Sequence, residues 1–450
     1  MKNSLLTRLK WTAYLARQLR GQSRFPYRSL RVIERAQERR VRSMVAHAYN
    51  TVPYYRETMD RLGVAPEDFR GVGDLARLPI VERDQLQRDP GYFLSTEPRE
   101  SPDFETSSGG STGAPRTVRW DTAAIFQNAA HSERERSIIA GFVGRFSHYR
   151  ESVITTPFAS DRKIQNIYRE RALLPSRALL QHQYLSLFDS PETNVRLLNE
   201  FKPDVIRSYG TYFAHLFSYL HATGVSFHRP KVVFYDAAEL PNTARRLIND
   251  AFGIHVLSAY QAIEAFKIGF ECERHSGLHL NVDLYPLRIV NEGGLDVSPE
   301  ENGDVVVSNL VNRATVLLNY RLGDIAHFLP APCACGRTLP LLSFIQGRSD
   351  DWIRLSSGEL IHPQAARTIF TEEPTIWQYQ VMQEEPDRFH VLIVGGDDRA
   401  EIHARVMRRF AEQFGQNIRM QVSFVDEIAP TSGGKVKAVV SLTKASELRQ

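Results

Sequence analysis

Residues 106–116 form a short segment rich in glycine and hydroxyl side chains, Thr-Ser-Ser-Gly-Gly-Ser-Thr-Gly-Ala-Pro-Arg. Glycine lets the backbone adopt positive φ and approach a ligand closely. Crowded N–H groups, hydroxyls and a guanidinium suit phosphate oxygens. Because Pro115 lies where a helix would have to continue, we expect the segment to join two strands. The segment lacks the Walker A spacing, so it predicts a phosphate-binding loop of another kind, with a flexible linker as the alternative.

The chain of 450 residues is longer than one hydrophobic core usually supports, so two or more domains are expected. With 42% hydrophobic and 24% charged residues it is typical of a globular protein. It contains no run of eighteen apolar residues and no visible secretory signal. Three cysteines do not make a disulfide framework, and a reducing compartment is therefore expected. These features predict a cytoplasmic protein.

Positive charge is concentrated at the N-terminus. Residues 1–43 carry a net charge of +10, so the rest of the chain carries −6. Leucines and arginines between Leu5 and Arg20 form the pattern of a basic amphipathic helix. Such an arm could contact an anionic membrane at its inner face or pack on the body of the protein, and we favour packing. Nucleic acid is not an expected partner, because no binding motif accompanies the charge.

The pattern of apolar residues predicts mixed α/β layers. Helices are expected at 28–64, with a break at 51–53, and at 122–140. From residue 200 short strands and helices alternate: strands at 205–206 and 231–235, helices at 213–220 and 243–252. Further strands are expected at 304–308 and 315–319.

A boundary is predicted near residues 347–351, Gly-Arg-Ser-Asp-Asp. Beyond it, residues 389–394 are expected to form a strand, and Ile402, Val406, Phe410 and Phe414 mark one face of a helix. Residues 418–424 alternate as a second strand. The C-terminal hundred residues are therefore expected to form a small domain of their own.

Four further segments, considered together with the glycine loop, indicate a more specific function. They are Tyr260-Gln-Ala-Ile-Glu264, Tyr320-Arg-Leu-Gly-Asp324, Gly347-Arg-Ser-Asp-Asp-Trp-Ile-Arg354 and Pro430-Thr-Ser-Gly-Gly-Lys-Val-Lys437. Each alone is weak, because charged turns are common. In this order and spacing, the set resembles the adenylate-forming superfamily of acyl-CoA synthetases and peptide-synthetase adenylation domains.

Within that superfamily the chain is most similar to the phenylacetate–CoA ligase branch, which includes coenzyme F390 synthetase and capsule-biosynthesis ligase-like proteins. The similar stretches are 45–56, 202–206, 271–273 with 277–279, and 333–337, and the resemblance spans about residues 30–445. It implies an α/β fold with a large multi-layer N-terminal domain and a small mobile α+β C-terminal domain. The implied divisions are a basic arm at 1–30, the large domain at 31–347 and the small domain at 348–450.

The resemblance also implies a reaction and its residues. ATP would activate a carboxylic acid as an acyl-adenylate, and CoA would then take the acyl group as a thioester. Lys435 would be the catalytic lysine, Asp350 the hinge, and Glu264 the Mg²⁺ ligand. The implied ATP- and AMP-binding residues are Ser107, Ser108, Gly109, Gly110, Ser111, Thr112, Gly113, Arg116, Ala237, Ala238, Glu239, Ser258, Ala259, Tyr260, Asp324 and Arg348.

Some positions depart from the family pattern. Gln261 and Ile263 replace a glycine and a hydroxyl residue, and Arg116 stands where lysine is commoner. Residues 357–363, Ser-Gly-Glu-Leu-Ile-His-Pro, also differ from the usual sequence. These departures leave three functions to compare: a CoA ligase, an enzyme that joins the acyl group to an amine, a hydroxyl or a carrier protein, and a non-catalytic family member.

All three cysteines lie within one stretch of 64 residues. Cys333-Ala-Cys335-Gly has the form of a metal knuckle, and His275 and His279 follow Cys272. Three thiolates and one imidazole suit tetrahedral Zn²⁺ in a structural site. The resemblance favours Cys272, His279, Cys333 and Cys335, with His275 as the other candidate for the fourth ligand. Three reduced cysteines without a metal are the alternative.

Overall fold

The computed structural model describes most of the chain. The described residues are 4–98, 104–107, 116–156, 159–173, 180–236, 239–330, 332–348, 353–358, 360–361, 363–371, 373, 375–396, 398–415, 417–430 and 436–441. The chain divides into two compact units. The first comprises residues 1–148, 158–181 and 257–344, and the second comprises residues 149–157, 182–256 and 345–450.

Helices and strands are numbered separately in chain order. The α-helices of the described residues are α1 (Leu5–Leu19), α2 (Leu30–Thr51), α3 (Pro53–Leu62), α4 (Arg83–Arg88), α5 (Thr122–His131), α6 (Glu133–Val143), α7 (Ser160–Arg171), α8 (Pro191–Phe201), α9 (Gly210–Thr223), α10 (Asn242–Asp250), α11 (Pro363–Thr371) and α12 (Arg399–Phe414). The 3₁₀ helices are Gln22–Tyr27, Pro66–Asp68, Val72–Arg77 and Pro90–Phe93.

The strands of the first unit are β1 (Phe104–Ser107), β2 (Thr117–Trp120), β7 (His255–Ala262), β8 (Ala265–Glu271), β9 (Leu278–Leu280), β10 (Leu287–Val290), β11 (Gly303–Val307), β12 (Tyr320–Ala326), β13 (Phe328–Leu329) and β14 (Leu341–Leu342), with β7 beginning in the second unit. The other strands are β3 (Tyr149–Thr155), β4 (Leu180–Ser186), β5 (Val205–Tyr209), β6 (Val232–Asp236), β15 (Gly347–Arg348), β16 (Ile353–Arg354), β17 (Leu360–Ile361), β18 (Ile376–Glu385), β19 (Arg388–Gly395), β20 (Arg419–Val425) and β21 (Val439–Ser441).

The predicted helices of the first unit are confirmed. Pro53 occupies the first turn of α3, where a missing N–H costs nothing, so the long helical pattern breaks between α2 and α3 as expected. The predicted helix at 122–140 is present as α5 and α6, separated at Ser132. The glycine segment is flanked by β1 and β2, which pair in antiparallel register from Phe104 opposite Trp120 to Ser107 opposite Thr117. The prediction that this segment joins two strands is therefore confirmed.

Two antiparallel arrangements position the rest of the first unit. The first is formed by β10, β11 and β12, paired in that order. The second has the strand order β13-β14-β9-β8-β7. The turn between β7 and β8 is tight, because Ala262 pairs directly with Ala265. That turn holds Glu264.

The predicted strand at 315–319 is wrong. Its apolar residues are buried as a strand's would be, but the backbone N–H groups donate to four different segments rather than to one neighbouring strand. The N–H of Thr315 donates to Arg119 O, that of Val316 to Phe93 O, and that of Leu318 to the Tyr55 hydroxyl. Asn319 then adopts a left-handed conformation, φ 56°, before β12 begins at Tyr320.

The basic arm packs on the body of the first unit, as favoured from the sequence. The Trp11 ring stacks on Phe126 of α5, with ring centroids 5.1 Å apart. Gln127 Nε2 donates to the Tyr14 hydroxyl at 2.8 Å, and Arg8 Nη2 donates to the Ala172 carbonyl at 3.0 Å. Leu5 and Leu6 of α1 are exposed. None of the described helices is both long enough and apolar enough to cross a membrane.

In the second unit, β3, β5 and β6 are parallel, and β4 follows β3 at the end of the order β6-β5-β3-β4. Helices α9 and α10 follow β5 and β6, so the predicted alternation of strands and helices is confirmed. Their apolar faces join one core, including Phe213, Phe217 and Ile248. This arrangement has the parallel strands and connecting helices of an α/β layer.

The C-terminal residues of the second unit form a sheet of order β20-β19-β18-β21. Helix α12 buries the predicted face, Ile402, Val406, Phe410 and Phe414. The expected strands at 389–394 and 418–424 correspond to β19 and β20, which pair in parallel. Gly395 ends β19 at φ 94°, where a Cβ would lie 2.5 Å from the Thr375 carbonyl oxygen, so glycine is required there.

Candidate active site and metal centre

A buried carboxylate lies at the turn between β7 and β8. Glu264 is 3% exposed, and one of its carboxylate oxygens lies 3.4 Å from Arg116 Nε, just before β2. The Tyr320 hydroxyl, at the start of β12, donates to the same oxygen at 3.1 Å. Burial, reinforced by the Glu264 charge, raises the pKa of Tyr320 well above its ordinary value, so this phenol stays a hydrogen-bond donor.

A second pair links the same two sequence segments. The Tyr260 hydroxyl donates to Asp324 Oδ2 at 2.8 Å. Tyr260 and Glu264 belong to one motif, and Tyr320 and Asp324 to the other, so each tyrosine binds the acid of the other motif. This crossed pairing places two carboxylates, two phenols and the Arg116 guanidinium in one part of the first unit.

Neighbouring side chains fix the turn that carries Glu264. The indole of Trp120 stacks on Phe266, with centroids 3.9 Å apart, and its Nε1 donates to the Ile263 carbonyl at 3.1 Å. Asn309 Nδ2 donates to the Glu264 carbonyl at 2.7 Å. Sequence reasoning missed Trp120 and Asn309, because both act through main-chain atoms of a segment distant in sequence.

The arrangement suits a phosphate-rich ligand with a hard cation. A buried carboxylate is a ligand for Mg²⁺, which in proteins is usually held by one or two carboxylates, waters and substrate phosphates. Arg116 adds a fork of donors that matches phosphate oxygens. Glu264 and Arg116 neutralise one another.

The three cysteines and His279 form a cluster whose ligand atoms all lie within 4.8 Å of one another. Cys272 Sγ lies 3.6 Å from Cys333 Sγ, and Cys335 Sγ lies 3.3 Å from His279 Nε2. Cys272 follows β8, His279 lies in β9, and the other two lie between β13 and β14. Three sulfurs and one imidazole are the donor set of a closed zinc site.

The surroundings of the cluster fit a bound cation. The N–H groups of Arg274 and Arg337 donate to Cys272 Sγ and Cys335 Sγ, both at 3.4 Å, which stabilises charge on the sulfurs. Burial lowers the pKa of His279 to about 4, with the Arg337 charge adding to the effect, so its imidazole is uncharged at neutral pH. Burial raises the pKa of the Cys272 thiol to about 12.

His275, the other candidate for the fourth ligand, is directed elsewhere. Its Nδ1 lies 2.7 Å from Glu271 Oε1. Glu271 is buried, and its second oxygen accepts a hydrogen bond from the Ser258 hydroxyl at 2.8 Å. Glu271 therefore links the loop after Cys272 to the β7 segment that carries Ser258, a connection that sequence reasoning missed.

Comparison with known proteins identifies the branch. Over 395 residues the chain is 25% identical to a phenylacetate–coenzyme A ligase of Thermus thermophilus, covering 85% of this chain and 83% of that protein. It is 21% identical over 387 residues to protein CapK of Staphylococcus aureus, covering 83% and 81%. Residues 354–442 match the model of the CapK C-terminal domain. The chain belongs to the phenylacetate–CoA ligase-like branch of the adenylate-forming enzymes.

The fold of this adenylate-forming enzyme agrees with that placement. A 2-hydroxyisobutyryl-CoA ligase in the postadenylation state, bound to R3-HIB-AMP, matches with a TM-score of 0.73 at 16% identity, covering 91% of this chain and 90% of that chain. The resemblance and the α/β fold class predicted from the sequence are confirmed.

Other residues that the family resemblance selected are divided between the two units. Glu239 forms an ion pair with Arg367 of α11. Burial lowers the pKa of Arg367. Arg348 lies in β15. Ser107 ends β1, and Ser258 and Ala259 lie in β7 of the first unit.

Ten residues predicted for the site of this adenylate-forming enzyme lie outside the described residues. They are Ser108, Gly109, Gly110, Ser111, Thr112, Gly113, Ala237, Ala238, Asp350 and Lys435. Their expected roles as phosphate loop, base-lining segment, hinge and catalytic lysine therefore stay predictions.

Proposed function

We propose that this chain is an ATP-dependent, AMP-forming acid–thiol ligase. A carboxylate oxygen of the substrate acid attacks the α-phosphorus of ATP, and pyrophosphate leaves. The sulfur of CoA then attacks the acyl carbonyl, AMP leaves, and the thiol proton passes to the medium. The observation that carries the proposal is the crossed pairing of Tyr260 with Asp324 and of Tyr320 with Glu264, with Arg116 against Glu264.

The residues divide the work of the first step. Arg116 and the segment 107–113 would hold the phosphates and so stabilise negative charge that develops during displacement. Asp324 would accept hydrogen bonds from the ribose, and Tyr260 would lie against the adenine. Glu264 would hold Mg²⁺, which supplies charge neutralisation at the phosphate oxygens when it is bound.

The second unit would supply the remaining groups. Lys435 would donate to the substrate carboxylate and bridging oxygens during adenylation, with Arg348 near the ribose and residues 237–239 near the base. Asp350 would act as the hinge of a small domain at 348–450, apart from a large domain at 31–347 and an arm at 1–30. The support for these roles is the match of motifs in the sequence.

The experiment is a carboxylic acid panel assayed for AMP release with and without CoA, together with pyrophosphate exchange into ATP. We expect pyrophosphate exchange to depend on one acid of the panel. We also expect AMP and an acyl thioester to form only when CoA is present. Exchange absent for every acid, while a known phenylacetate–CoA ligase is active in parallel, would support a non-catalytic protein. A Lys435→Ala variant that exchanges as well as the unaltered chain would remove Lys435 from the mechanism.

A second candidate keeps the adenylation and changes the acceptor to an amine, a hydroxyl or a carrier protein. One observation favours it: residues 357–363 depart from the family sequence. Acid-dependent exchange with no thioester formed from CoA would select this candidate over the first.

We propose that Cys272, His279, Cys333 and Cys335 hold a structural Zn²⁺. The support is the close approach of the four ligand atoms and the N–H groups directed at two sulfurs. One equivalent of zinc, measured on the purified chain by elemental analysis, is the expected result. A chain that folds fully with no metal bound would contradict the proposal.

We also propose that the first turns of α1 touch an anionic membrane surface. Leu5, Leu6 and Leu9 are exposed, and Lys10 lies among them on a basic arm. Co-sedimentation with vesicles containing an anionic lipid should fall when the three leucines are changed to serine. Equal sedimentation of the altered and unaltered chains would remove this partner.

A further inference from the structure

A cavity of about 450 Å³ lies in the first unit, beside one face of α2. Its wall includes four arginines, Arg39, Arg40, Arg134 and Arg313, and one carboxylate, Asp283. The volume is within the range of small-molecule sites, about 300–1,000 Å³. Among the described residues that line it, none is expected to bind ATP, Mg²⁺ or Zn²⁺.

The carboxylate of this wall is committed to one arginine. Arg134 Nη1 and Nη2 donate to Asp283 Oδ1 and Oδ2 at 2.7 and 2.9 Å, a bidentate pair that is almost fully buried. Arg134 also donates to Asn281 Oδ1 at 2.8 Å. Beside this pair, the described lining residues include three further guanidiniums, those of Arg39, Arg40 and Arg313, and no second carboxylate.

Arg40 is the least exposed of these three arginines. Its Nη1 donates to Gln127 Oε1 at 3.2 Å, which is a neutral acceptor. Burial lowers the pKa of Arg40, Asp283 opposes that effect, and the nearby Arg134 adds to it. A guanidinium that is taken from water beside another cation is stabilised by an anion placed next to it.

Arg39 and Arg313 lie at the open side of the cavity. Both are exposed, and Arg313 Nη2 donates to the Ser43 hydroxyl at 2.6 Å. Arg39 and Ser43 are four residues apart on α2, so they lie on the same face of the helix. Apolar side chains, including Phe25, Met44 and Leu310, supply another part of the wall. The lining thus combines a cationic part with an apolar part.

We propose that this cavity binds a small organic phosphate. Its phosphate group would contact Arg39, Arg40 and Arg313, and its organic part would lie against Phe25, Met44 and Leu310. Guanidinium forks match the oxygens of a phosphate dianion in geometry and charge. The site is separate from the proposed ATP site and does not depend on the proposed reaction.

The test measures binding of phenyl phosphate and of inorganic phosphate to the full chain by isothermal titration calorimetry. Phenyl phosphate should bind with one equivalent, and more tightly than inorganic phosphate. Equal affinity for the two would overturn an organic ligand. The double variant Arg39→Ala/Arg313→Ala should bind phenyl phosphate at least about tenfold more weakly, because both lost groups are charged donors to phosphate.

Matched variants locate the binding. Arg42→Ala removes an exposed cation of α2 that is not part of the cavity wall, and it should leave the affinity unchanged. Arg116→Gln, which alters the proposed ATP site, should also retain binding. Ser43→Trp should block the opening while leaving every arginine in place, and thermal unfolding of each variant checks that it folds. Binding that survives in the double variant, or that is lost in Arg116→Gln, overturns the proposal.

Discussion

Two clusters of the first unit, the crossed tyrosine–carboxylate pairs and the cysteine cluster, join segments far apart in sequence but differ in what they need from a ligand. In the crossed pairs each carboxylate already has a phenol or a guanidinium as partner. In the cysteine cluster three sulfurs and an imidazole lie close together, and none of these four groups is a cation that could pair with a thiolate. The groups of the first cluster pair with one another, whereas the second would need the proposed Zn²⁺ to supply a positive charge. Loss of a group should therefore damage chemistry in one and folding in the other.

The largest effect is expected in the cysteine cluster. Cys333→Ala should abolish zinc binding and lower the free energy of unfolding by more than about 3 kcal/mol, because metal binding in such sites is coupled to folding. Elemental analysis and denaturant unfolding measure the two effects. His275→Ala is the control and should retain zinc, since His275 contacts Glu271 and is not part of the cluster. Full zinc content in the cysteine variant would break the comparison.

The crossed pairs should respond through activity. Glu264→Gln should reduce pyrophosphate exchange by roughly 10²–10³-fold, the size typical of losing one preorganised charge-stabilising group. Zinc content should not change. Glu200→Gln, which removes an exposed carboxylate paired with Arg196 on α8, is the control for loss of charge alone. Zinc loss in the Glu264 variant would show that the two clusters are not independent.

His131, a buried histidine outside both clusters, can be compared with His279 of the cysteine cluster. Burial lowers the pKa of His131 well below its ordinary value, and Arg134 and Arg40 add to the effect. Below about pH 6.5 the unfolded chain binds a proton on His131 that the folded chain does not bind, so the free energy of unfolding falls as pH decreases, by up to about 1.4 kcal/mol per pH unit.

Denaturant unfolding at pH 7.5, 6.5 and 5.5, compared between the unaltered chain and His131→Gln, measures this dependence. In the variant the free energy of unfolding should change less steeply with pH, and the difference in slope should correspond to at most about one bound proton. Identical slopes would show that His131 takes up its proton in the folded state.

The smallest effect is expected from the phenol of one crossed pair. Tyr260→Phe removes the donor to Asp324 and should raise KM for ATP by about fivefold with little change in kcat, as the loss of a hydrogen bond worth about 1 kcal/mol predicts. Steady-state exchange kinetics separate the two constants. Tyr219→Phe, which alters a partly buried tyrosine of α9 in the second unit, serves as the control. A large fall in kcat would give Tyr260 a role in the chemical step.

The sequence was sufficient where local pattern decides the structure. The apolar spacing of Ile402, Val406, Phe410 and Phe414 predicted the buried face of α12, and Pro53 predicted the break between α2 and α3. The strand expected at 315–319 is wrong because its burial comes from several tertiary contacts, and burial alone produces the same apolar run as a strand.

For the candidate site, too, some features could be predicted from the sequence and others could not. The residue types and their order indicated the family, but the crossed pairing could not be read from them, because each hydrogen bond joins residues 56 or 64 positions apart. Glu271 gave no signal either, since a buried glutamate between two loops has no characteristic spacing. Such contacts depend on how strands β7, β8 and β12 are placed in space.

The crossed tyrosines also have a consequence for protein engineering. Each of the two hydrogen bonds joins one segment to the other, so a chimera that receives the 260–264 segment or the 320–324 segment alone would lose both bonds. A transplant of the proposed nucleotide site would have to include both segments together. The smallest portable module of this site is thus a pair of strands, not a linear motif.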